Sequence, residues 1–344
     1  MRALIVGAGA IGQYVAAQLK LAGHDSVLLA KADAAARLRE GYVLVVGDKT
    51  QRVVVPVITG PDDGARGDFD LVVTAVKSFA TASAIESIRA LPACDRAAIL
   101  VLQNGLGNEE LCAAAFGDDR VVAGALTTAV DRAPEPGVIA AKKGGVTIAP
   151  VGAPAHNWII AAFELSAIKV AAAADWRALK WSKLCTNLLA NAVCAILDWT
   201  PAQVYADTTA FDVERRCLLE AIATMDKLGL APISLIDFPV PLLVAAARSL
   251  PPGMLRVVLA SRVARARGDK LPSLLIDARA RRAQTEVDAL NGAVAARAAA
   301  SGIAAPANAM VARVLDGITA GTIPWDDFRA KPSALAAAIL SARA

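Results

Sequence analysis

The sequence predicts an α/β chain in two parts, a parallel-sheet domain over residues 1–173 followed by an all-helical domain over residues 174–344. Three observations predict it. Through the first half, short apolar runs alternate with helix-period stretches, the pattern of strands joined by crossover helices. The first of these runs, Ala3 to Val6, stops at Gly7-Ala8-Gly9-Ala10-Ile11-Gly12, after which apolar residues return with helical spacing at Val15, Leu19 and Leu21. From about Asp175 onward strand-like runs disappear and the helical period persists almost to the end. A chain of 344 residues is long enough for two domains with large cores, and it contains no internal repeat or low-complexity linker.

Strand, glycine turn and helix in that order form the pattern of a dinucleotide site in a Rossmann-type domain. There Gly7 permits the tight turn, Gly9 leaves room for a pyrophosphate beside bare backbone, and Gly12 lets the helix pack close to the strand. The phosphates, held by the backbone of Gly7, Ala8, Gly9, Ala10, Ile11 and Gly12, would sit on the helix N-terminus, where free N–H groups and the dipole favour negative charge. Arg2 followed by apolar residues up to Leu19 also reads as a secretory signal peptide. The spaced glycines, the polar Gln13 and Tyr14, and the lack of a small-x-small cleavage site argue against that.

Ser26 to Ala30 reads as a second strand, ending at Lys31, where such folds place the residue that meets the cofactor's ribose. NAD sites usually carry an acid there; a lysine attracts a 2′-phosphate and favours NADP, while Asp33 keeps NAD as the alternative. Tyr42–Val46 and Arg52–Val57 flank Gly47-Asp48 as two strands of a hairpin. Asp70–Val76 and Ala97–Leu102 are apolar strands that end at Lys77 and at Gln103-Asn104-Gly105, and Thr81–Leu91 and Asn108–Phe116 are the helices between and after them. Residues just past the strand C-termini line the ligand crevice of such sheets, so Lys77 and Asn104 are expected beside the cofactor turn. Each also has a plainer reading, Lys77 as a surface charge at a helix start and Asn104-Gly105 as a turn.

Val121–Val130, Val138–Ala141 and Val146–Pro150 are further strands, separated by Pro134, Pro136, Gly137 and Gly144-Gly145. A helix over Asn157–Ser166 and a strand near Ile168–Ala172 close the first domain. Helices are then expected over Trp176–Leu197, Thr208–Gly229, Pro239–Ser249, Ser273–Ser301, Ala307–Gly317 and Ser333–Arg343, with the active site in the crevice between the two halves.

In the helical half, Lys183, Asn187 and Asn191 stand four residues apart and are expected on one face of an otherwise apolar helix. Burying such a stripe without partners costs about 1–3 kcal/mol per unsatisfied group, and more for the ammonium. Either an interhelical hydrogen-bond network or a substrate meets it; three polar residues in register, led by a lysine, favour a substrate. Glu286, with apolar neighbours Val287, Leu290 and Val294, points inward as a carboxylate for Lys183 or outward as a solvated acid, and Arg279, Arg281 and Arg282 form an exposed basic face.

Composition narrows the function. Hydrophobic residues make up 56% of the chain, the excess being mostly alanine, yet the longest uncharged stretch, Gly144 to Phe163, is interrupted by Pro150, Pro154, His156 and Asn157 and spans no membrane. Five scattered cysteines without a CxxC suggest neither a disulfide framework nor zinc and fit a reducing cytoplasm. A net charge of +4 with no basic run interleaved with aromatics gives no nucleic-acid signature, and two histidines leave little for a metal site. Apolar helical surface in the second half favours a homodimer without settling the oligomeric state.

GAGAIG at Gly7–Gly12, AVKS around Lys77, QNGLGNEE at Gln103–Glu110, KWSKLCTNLLANAV at Lys180–Val193, PSLLID at Pro272–Asp277 and TEVDALNGAV at Thr285–Val294 follow one another in the order found in the ketopantoate reductases (2-dehydropantoate 2-reductases) and their paralogues, which the chain resembles over nearly its whole length. The resemblance implies NADPH-dependent reduction of a 2-oxo acid, 2-dehydropantoate, to pantoate in pantothenate and coenzyme A biosynthesis. It implies Lys183 as proton donor with Glu286 as its partner, Asn104, Asn187, Asn191 and Ser273 as substrate ligands, and Lys77, Asn104 and, in place of the family's arginine, Lys31 on the cofactor. The interval from Ser273 to Glu286 is one residue longer than in the usual pattern. Reduction of another 2-oxo acid, an opine-type dehydrogenase and a non-catalytic NADP-binding redox sensor remain the alternatives.

Overall fold

The structure, a computed structural model, describes residues 1–63, 67–133, 135–142, 144–152, 157–267 and 271–341. Pro134, Pro154, His156 and Arg343, singled out above, lie outside the described residues. The chain forms two compact units that interleave in sequence: Met1–Gln103, Gly107–Lys180 and Leu235–Phe238 make the first, and Asn104–Leu106, Trp181–Ser234 and the chain from Pro239 onward make the second.

In chain order the first unit contains β1 (Arg2–Val6), α1 (Ala10–Leu21), β2 (Asp25–Leu29), α2 (Ala32–Leu38), β3 (Tyr42–Val46), β4 (Lys49–Val53), β5 (Val57–Ile58), β6 (Leu71–Thr74), α3 (Thr81–Arg89), β7 (Ala98–Val101), α4 (Asn108–Phe116) and β8 (Val121–Leu126). It continues with β9 (Val130–Arg132), β10 (Val138–Ala141), β11 (Gly145–Pro150), α5 (Asn157–Glu164), β12 (Lys169–Ala172) and the first turn of α6 (Trp176–Leu188). Eight strands form one sheet in the order β12-β11-β8-β7-β6-β1-β2-β5, parallel except where β11 meets β8. Apolar runs such as LIV and AILV suit this sheet because both of its faces are covered. Ala3 and Ile5 enter one core with Val15, Leu19 and Leu100, while Leu4 and Val6 enter the other with Val72, Ile88 and Ile99. Each large side chain so buried contributes about 1.5–3 kcal/mol.

A second sheet, β4-β3-β10-β9, lies against α1, where the Tyr42 hydroxyl donates to the Gln13 carbonyl at 2.6 Å. Two expectations are corrected here. The hairpin turns at Gly47-Asp48 with Val46 opposite Lys49, so its second strand is Lys49–Val53 and not Arg52–Val57; that strand is exposed except at Val53, and its polarity hid it. Val121–Val130 is two strands, because the chain leaves the large sheet at Thr127, which bonds Gly145, and enters the second sheet at Val130.

The second unit takes the rest of α6, then α7 (Ala192–Leu197), α8 (Pro201–Ala206), α9 (Thr208–Lys227), α10 (Val240–Ser249), α11 (Pro252–Arg267), α12 (Ser273–Arg279), α13 (Ala293–Ala300), α14 (Pro306–Ala320) and α15 (Pro332–Ser341), with no strand among its described residues. The sequence reading left out α8 and α11, although α8 carries its signal openly: Thr200 and Gln203 form a capping box around Pro201. Two expected long helices are broken. Ser273–Ser301 ends its first helix at Arg279 and resumes through a π-turn at Asp288–Gly292. Trp176–Leu197 breaks between Leu188 and Ala192, where Ala190 takes a left-handed φ of 49°, a conformation that costs an alanine about 1–2 kcal/mol. What holds it is Glu214, fully buried, whose Oε2 accepts the Ala190 N–H at 2.7 Å and whose Oε1 accepts the Tyr205 hydroxyl at 2.6 Å. Glu214→Ala strips both donors of their acceptor and is expected to lower unfolding stability by about 3 kcal/mol in urea titration; a loss below about 1 kcal/mol would mean that the break holds itself.

Candidate active site

Strand register collects the first group of candidate residues. Val6 of β1 lies opposite Leu29 of β2 and Thr74 of β6, and Thr74 lies opposite Val101 of β7. The turns that follow these parallel strands therefore leave from one end of the sheet, the end at which such folds bind ligands. Gly7, Lys31, Lys77 and Gln103 stand on those four turns. Gly7 donates its N–H to Leu29 O at 3.1 Å, and a Cβ on it would lie 2.9 Å from the backbone of Ala75 and Val76, the two residues before Lys77.

The three glycines do different things. Gly7 has φ of 110°, a region closed to side chains without strain. A Cβ on Gly12 would overlap the Gly7 carbonyl oxygen, so the helix can approach the strand only with glycine there. Gly9, the N-cap of α1, has ordinary φ of −73°, and among the described residues no atom beyond its chain neighbours and its own helix backbone lies within 4 Å of a Cβ placed on it. Neither the fold nor its packing requires glycine at this position. The bare cradle beside free N–H groups, with no acidic residue in the first turn of α1, fits a dinucleotide pyrophosphate. The Ala8 carbonyl at its rim accepts from Gln13 Nε2 at 2.8 Å and from the guanidinium of Arg132 at 3.2 Å, which adds positive charge that the sequence reading did not foresee.

Lys31 is exposed at the start of α2, two residues past β2. Asp33, the residue that kept an NAD site open, forms an ion pair with Arg37 at 3.1 Å, and this pairing lowers its carboxyl below the usual range. Lys77 is half-buried at the head of the short 3-10 turn Ser78–Ala80. Gln103 is buried in a polar cluster: its Oε1 accepts from Thr74 Oγ1 at 2.7 Å, its Nε2 donates to Thr81 Oγ1 at 2.6 Å, and Thr81 Oγ1 lies 2.7 Å from Asn108 Oδ1.

The second group lies in the helical unit, which the chain enters at Asn104. On the last two turns of α6, Lys183, Thr186 and Asn187 are half-buried while Leu184, Cys185 and Leu188 are buried, so one polar strip opens on an otherwise packed helix. Asn187 Nδ2 donates to Asn104 Oδ1 at 3.1 Å. Asn191 is not the third member of that strip, because α6 has ended; it is buried at the head of α7, where its Nδ2 donates to Asn187 O at 3.1 Å and its Oδ1 accepts from Leu274 N at 3.3 Å. The chain of bonds from Asn104 through Asn187 and Asn191 thus ends on the first turn of α12, beside the exposed Ser273.

Glu286 is buried, but in the bend ahead of the π-turn and not on a helix face. Its segment closes on the same turn, because Leu106 N donates to Ala289 O at 2.9 Å and Gly105, at φ of 85°, leaves no room for a Cβ beside Ala289. Asn104, Asn187, Asn191, Ser273 and the Glu286 segment are therefore brought together. Of the basic face, Arg279 pairs with Asp198 at 2.6 Å and Arg282 with Asp277 at 3.1 Å.

A buried ion pair escaped the sequence reading: Lys180 Nζ lies 2.8 Å from Glu109 Oε1. Each residue alone reads as a helix-surface charge, and only the first turns of α4 and α6 meeting reveals the pair; the signal in the sequence was Lys180 among Leu179, Trp181 and Leu184, and Glu109 one turn before Cys112. The five cysteines are buried, and burial pushes the thiols of Cys94, Cys112 and Cys185 up to about 12, which disfavours a thiolate nucleophile at those three positions. Among the described residues no cluster has metal-ligand chemistry, and no helix is long and apolar enough to cross a membrane.

Residues 3–152 match the family model of ketopantoate reductase PanE/ApbA, and residues 175–319 match that of its C-terminal region. A 2-dehydropantoate 2-reductase of Halobacterium salinarum is 30% identical over 318 residues, covering 89% of this chain and 95% of that protein. The crystal structure of 2-dehydropantoate 2-reductase from Geobacter metallireducens is 28% identical with a TM-score of 0.77, covering 92% of this chain and 99% of its own. A D-mandelate dehydrogenase with NADH and anilino(oxo)acetate shares the fold at a TM-score of 0.77 and 19% identity, covering 93% of this chain and 99% of its own.

The glycines make a contrast that can be measured. Gly9→Ala is expected to leave the melting temperature of the ligand-free protein unchanged and to weaken dinucleotide binding by ~10-fold or more, about 1.4 kcal/mol. Gly12→Ala is expected to lower the melting temperature itself. Equal effects of the two substitutions on the ligand-free protein would remove the argument that Gly9 is kept for a ligand.

Proposed function

The chain belongs to the ketopantoate reductase family, and from that premise we propose that it reduces a 2-oxo acid to the 2-hydroxy acid with NADPH, the pair being 2-dehydropantoate and pantoate in pantothenate and coenzyme A biosynthesis. The observation that carries this reading is the hydrogen-bonded run Asn104–Asn187–Asn191 beside Lys183 on the half-open strip of α6. A family member without chemistry to perform has no use for an ammonium there, which weighs against the redox-sensor alternative.

Gly7, Ala8, Gly9, Ala10, Ile11 and Gly12, with Lys77 and Asn104, would hold the dinucleotide, and the chemistry it would supply when bound is a hydride for the substrate ketone. Negative charge then grows on the carbonyl oxygen. Lys183 stabilises that oxygen as a charged donor and delivers the proton that completes the hydroxyl. Glu286 keeps Lys183 charged and oriented; its segment and Asn187 both converge on Asn104–Leu106, which supports the pairing. Asn187, Asn191, Ser273 and Asn104 hold the substrate's carboxylate and hydroxyl groups. Asn191 already serves Leu274 and Asn187, so its contribution is the smaller one.

Lys31 carries the preference for NADPH in this reading. The engagement of Asp33 by Arg37 supports it, since that carboxylate is drawn away from a ribose hydroxyl and towards a neighbouring cation. A lysine recognises a 2′-phosphate as a point charge, without the fork of the family's arginine. The five buried cysteines fit a reducing cytoplasm, and the exposed Leu242, Met254 and Val257 on α10 and α11 favour a homodimer. The fold itself does not choose the substrate: a D-mandelate dehydrogenase shares it, so the second reading, reduction of a different 2-oxo acid, is separated by substrate and not by architecture.

Lys183→Ala is expected to lower kcat by at least ~10²-fold, as loss of a charge-stabilising donor does, while NADPH fluorescence titration is unchanged; near-normal turnover would remove Lys183 from the mechanism. Lys31→Asp is expected to move the NADPH/NADH ratio of kcat/KM towards NADH, and an unmoved ratio would sink the specificity argument. NADPH oxidation across a panel of keto acids, with and without amines, is expected to be fastest with 2-dehydropantoate and indifferent to amines.

A further inference from the structure

The pair Lys180–Glu109 is buried more deeply than packing alone asks: the side chains are 1% and 0% exposed. Taking two charges out of water costs several kcal/mol per ion, and apolar residues of the same volume are often as stable or more so. Stability therefore does not explain why charges stand here. Three oxygens surround the ammonium: Glu109 Oε1 as ion-pair partner at 2.8 Å, and Gln103 O at 2.6 Å and Gly124 O at 3.4 Å as hydrogen-bond acceptors. Apart from that ion pair, neither Glu109 carboxylate oxygen has a hydrogen-bond partner among the described residues. Burial holds the Glu109 carboxyl above its usual range, and the Lys180 ammonium opposes that shift.

The shortest of the three bonds is the informative one. Gln103 is the last residue of the first unit before the chain passes to Asn104, and Lys180 is the last before it passes to Trp181. Within the first unit, Nζ ties these two exit points together. Lys180, Lys183 and Asn187 also share one face of α6, at spacings of three and four residues. One helix face thus grips the carbonyl of residue 103 through Lys180 and the side chain of residue 104 through Asn187. The four methylenes of Lys180 give its ammonium the reach to do the first of these from a buried position.

We propose that Lys180, held in place by Glu109, is a positioning residue that fixes the Gln103–Asn104 peptide and the rotation of α6, and so sets where Asn104, Asn187 and Lys183 point. The kinetic consequence rests on the reductase reading given above; the positional claim does not.

The test uses the full chain with Lys180→Met, the double variant Lys180→Met/Glu109→Met, and Glu109→Gln, which keeps an acceptor for the ammonium. Stability is followed by urea titration, amide exchange of residues 102–107 by mass spectrometry, and turnover by NADPH oxidation. Lys180→Met alone leaves a buried carboxylate unpaired and is expected to be the least stable. The double variant is expected to regain wild-type stability, yet to exchange residues 102–107 about tenfold faster and to lose about tenfold in kcat with the NADPH Kd within about twofold, since small misplacements of catalytic groups cost rate more than cofactor affinity. Glu109→Gln is expected to show the same changes in weaker form. Wild-type exchange in residues 102–107 in the double variant, or in Glu109→Gln should the double variant not fold, overturns the proposal. A wild-type protein that binds NADPH and reduces no 2-oxo acid overturns the reductase reading instead, and the exchange data then decide the positional claim by themselves.

Discussion

A strand buried on both faces offers no side chain to a ligand. That constraint organises the first unit, whose central strands β1, β6 and β7 are buried along almost their whole length. Polar chemistry is excluded from the strands and displaced to the turns that follow them. Because the strands are parallel and in register, those turns share one end of the sheet, and Gly7, Lys31, Lys77 and Gln103 meet there as a result of hydrophobic packing and not of any attraction between them.

The helical unit meets the same constraint differently. A helix buried on most sides can expose polar residues only along a narrow strip, and α6 does so at Lys183, Thr186 and Asn187. Extending the strip by one more turn would bury Asn191 in apolar surroundings without partners. Instead the helix breaks at Ala190, Glu214 absorbs the cost of the break, and Asn191 turns to cap α12. Strain at one residue and one buried carboxylate are what bring the PSLLID segment to the strip.

How much of this was legible depended on whether a feature is local. The glycine turn, the apolar strands and the capped or strongly periodic helices are local, and they were read with small errors at their ends. β4 was misplaced because an exposed edge strand, KTQRV, has no apolar alternation to announce it. The breaks in the long helices were missed because neither glycine nor proline marks them: Ala190 is left-handed, and the carboxylate that accepts its N–H belongs to Glu214, 24 residues on. Lys180 and Glu109 were passed over for the same reason, each being an ordinary charge until the other is seen 2.8 Å away.

By itself the sequence determined the class of the fold, the place of the glycine turn and the identity of the family, because periodicity, glycine spacing and motif order are properties of neighbours along the chain. Only the tertiary structure decided which glycine is kept for packing and which stands open, since Gly12 and Gly9 are the same residue in a string and differ only in what surrounds them. It also decided that Asn191 is a crosslink at a helix break, that Asp33 is already paired, and that a buried ammonium holds the peptide before Asn104. Burial and partnership are relations across space, so no reading of residue types in order contains them.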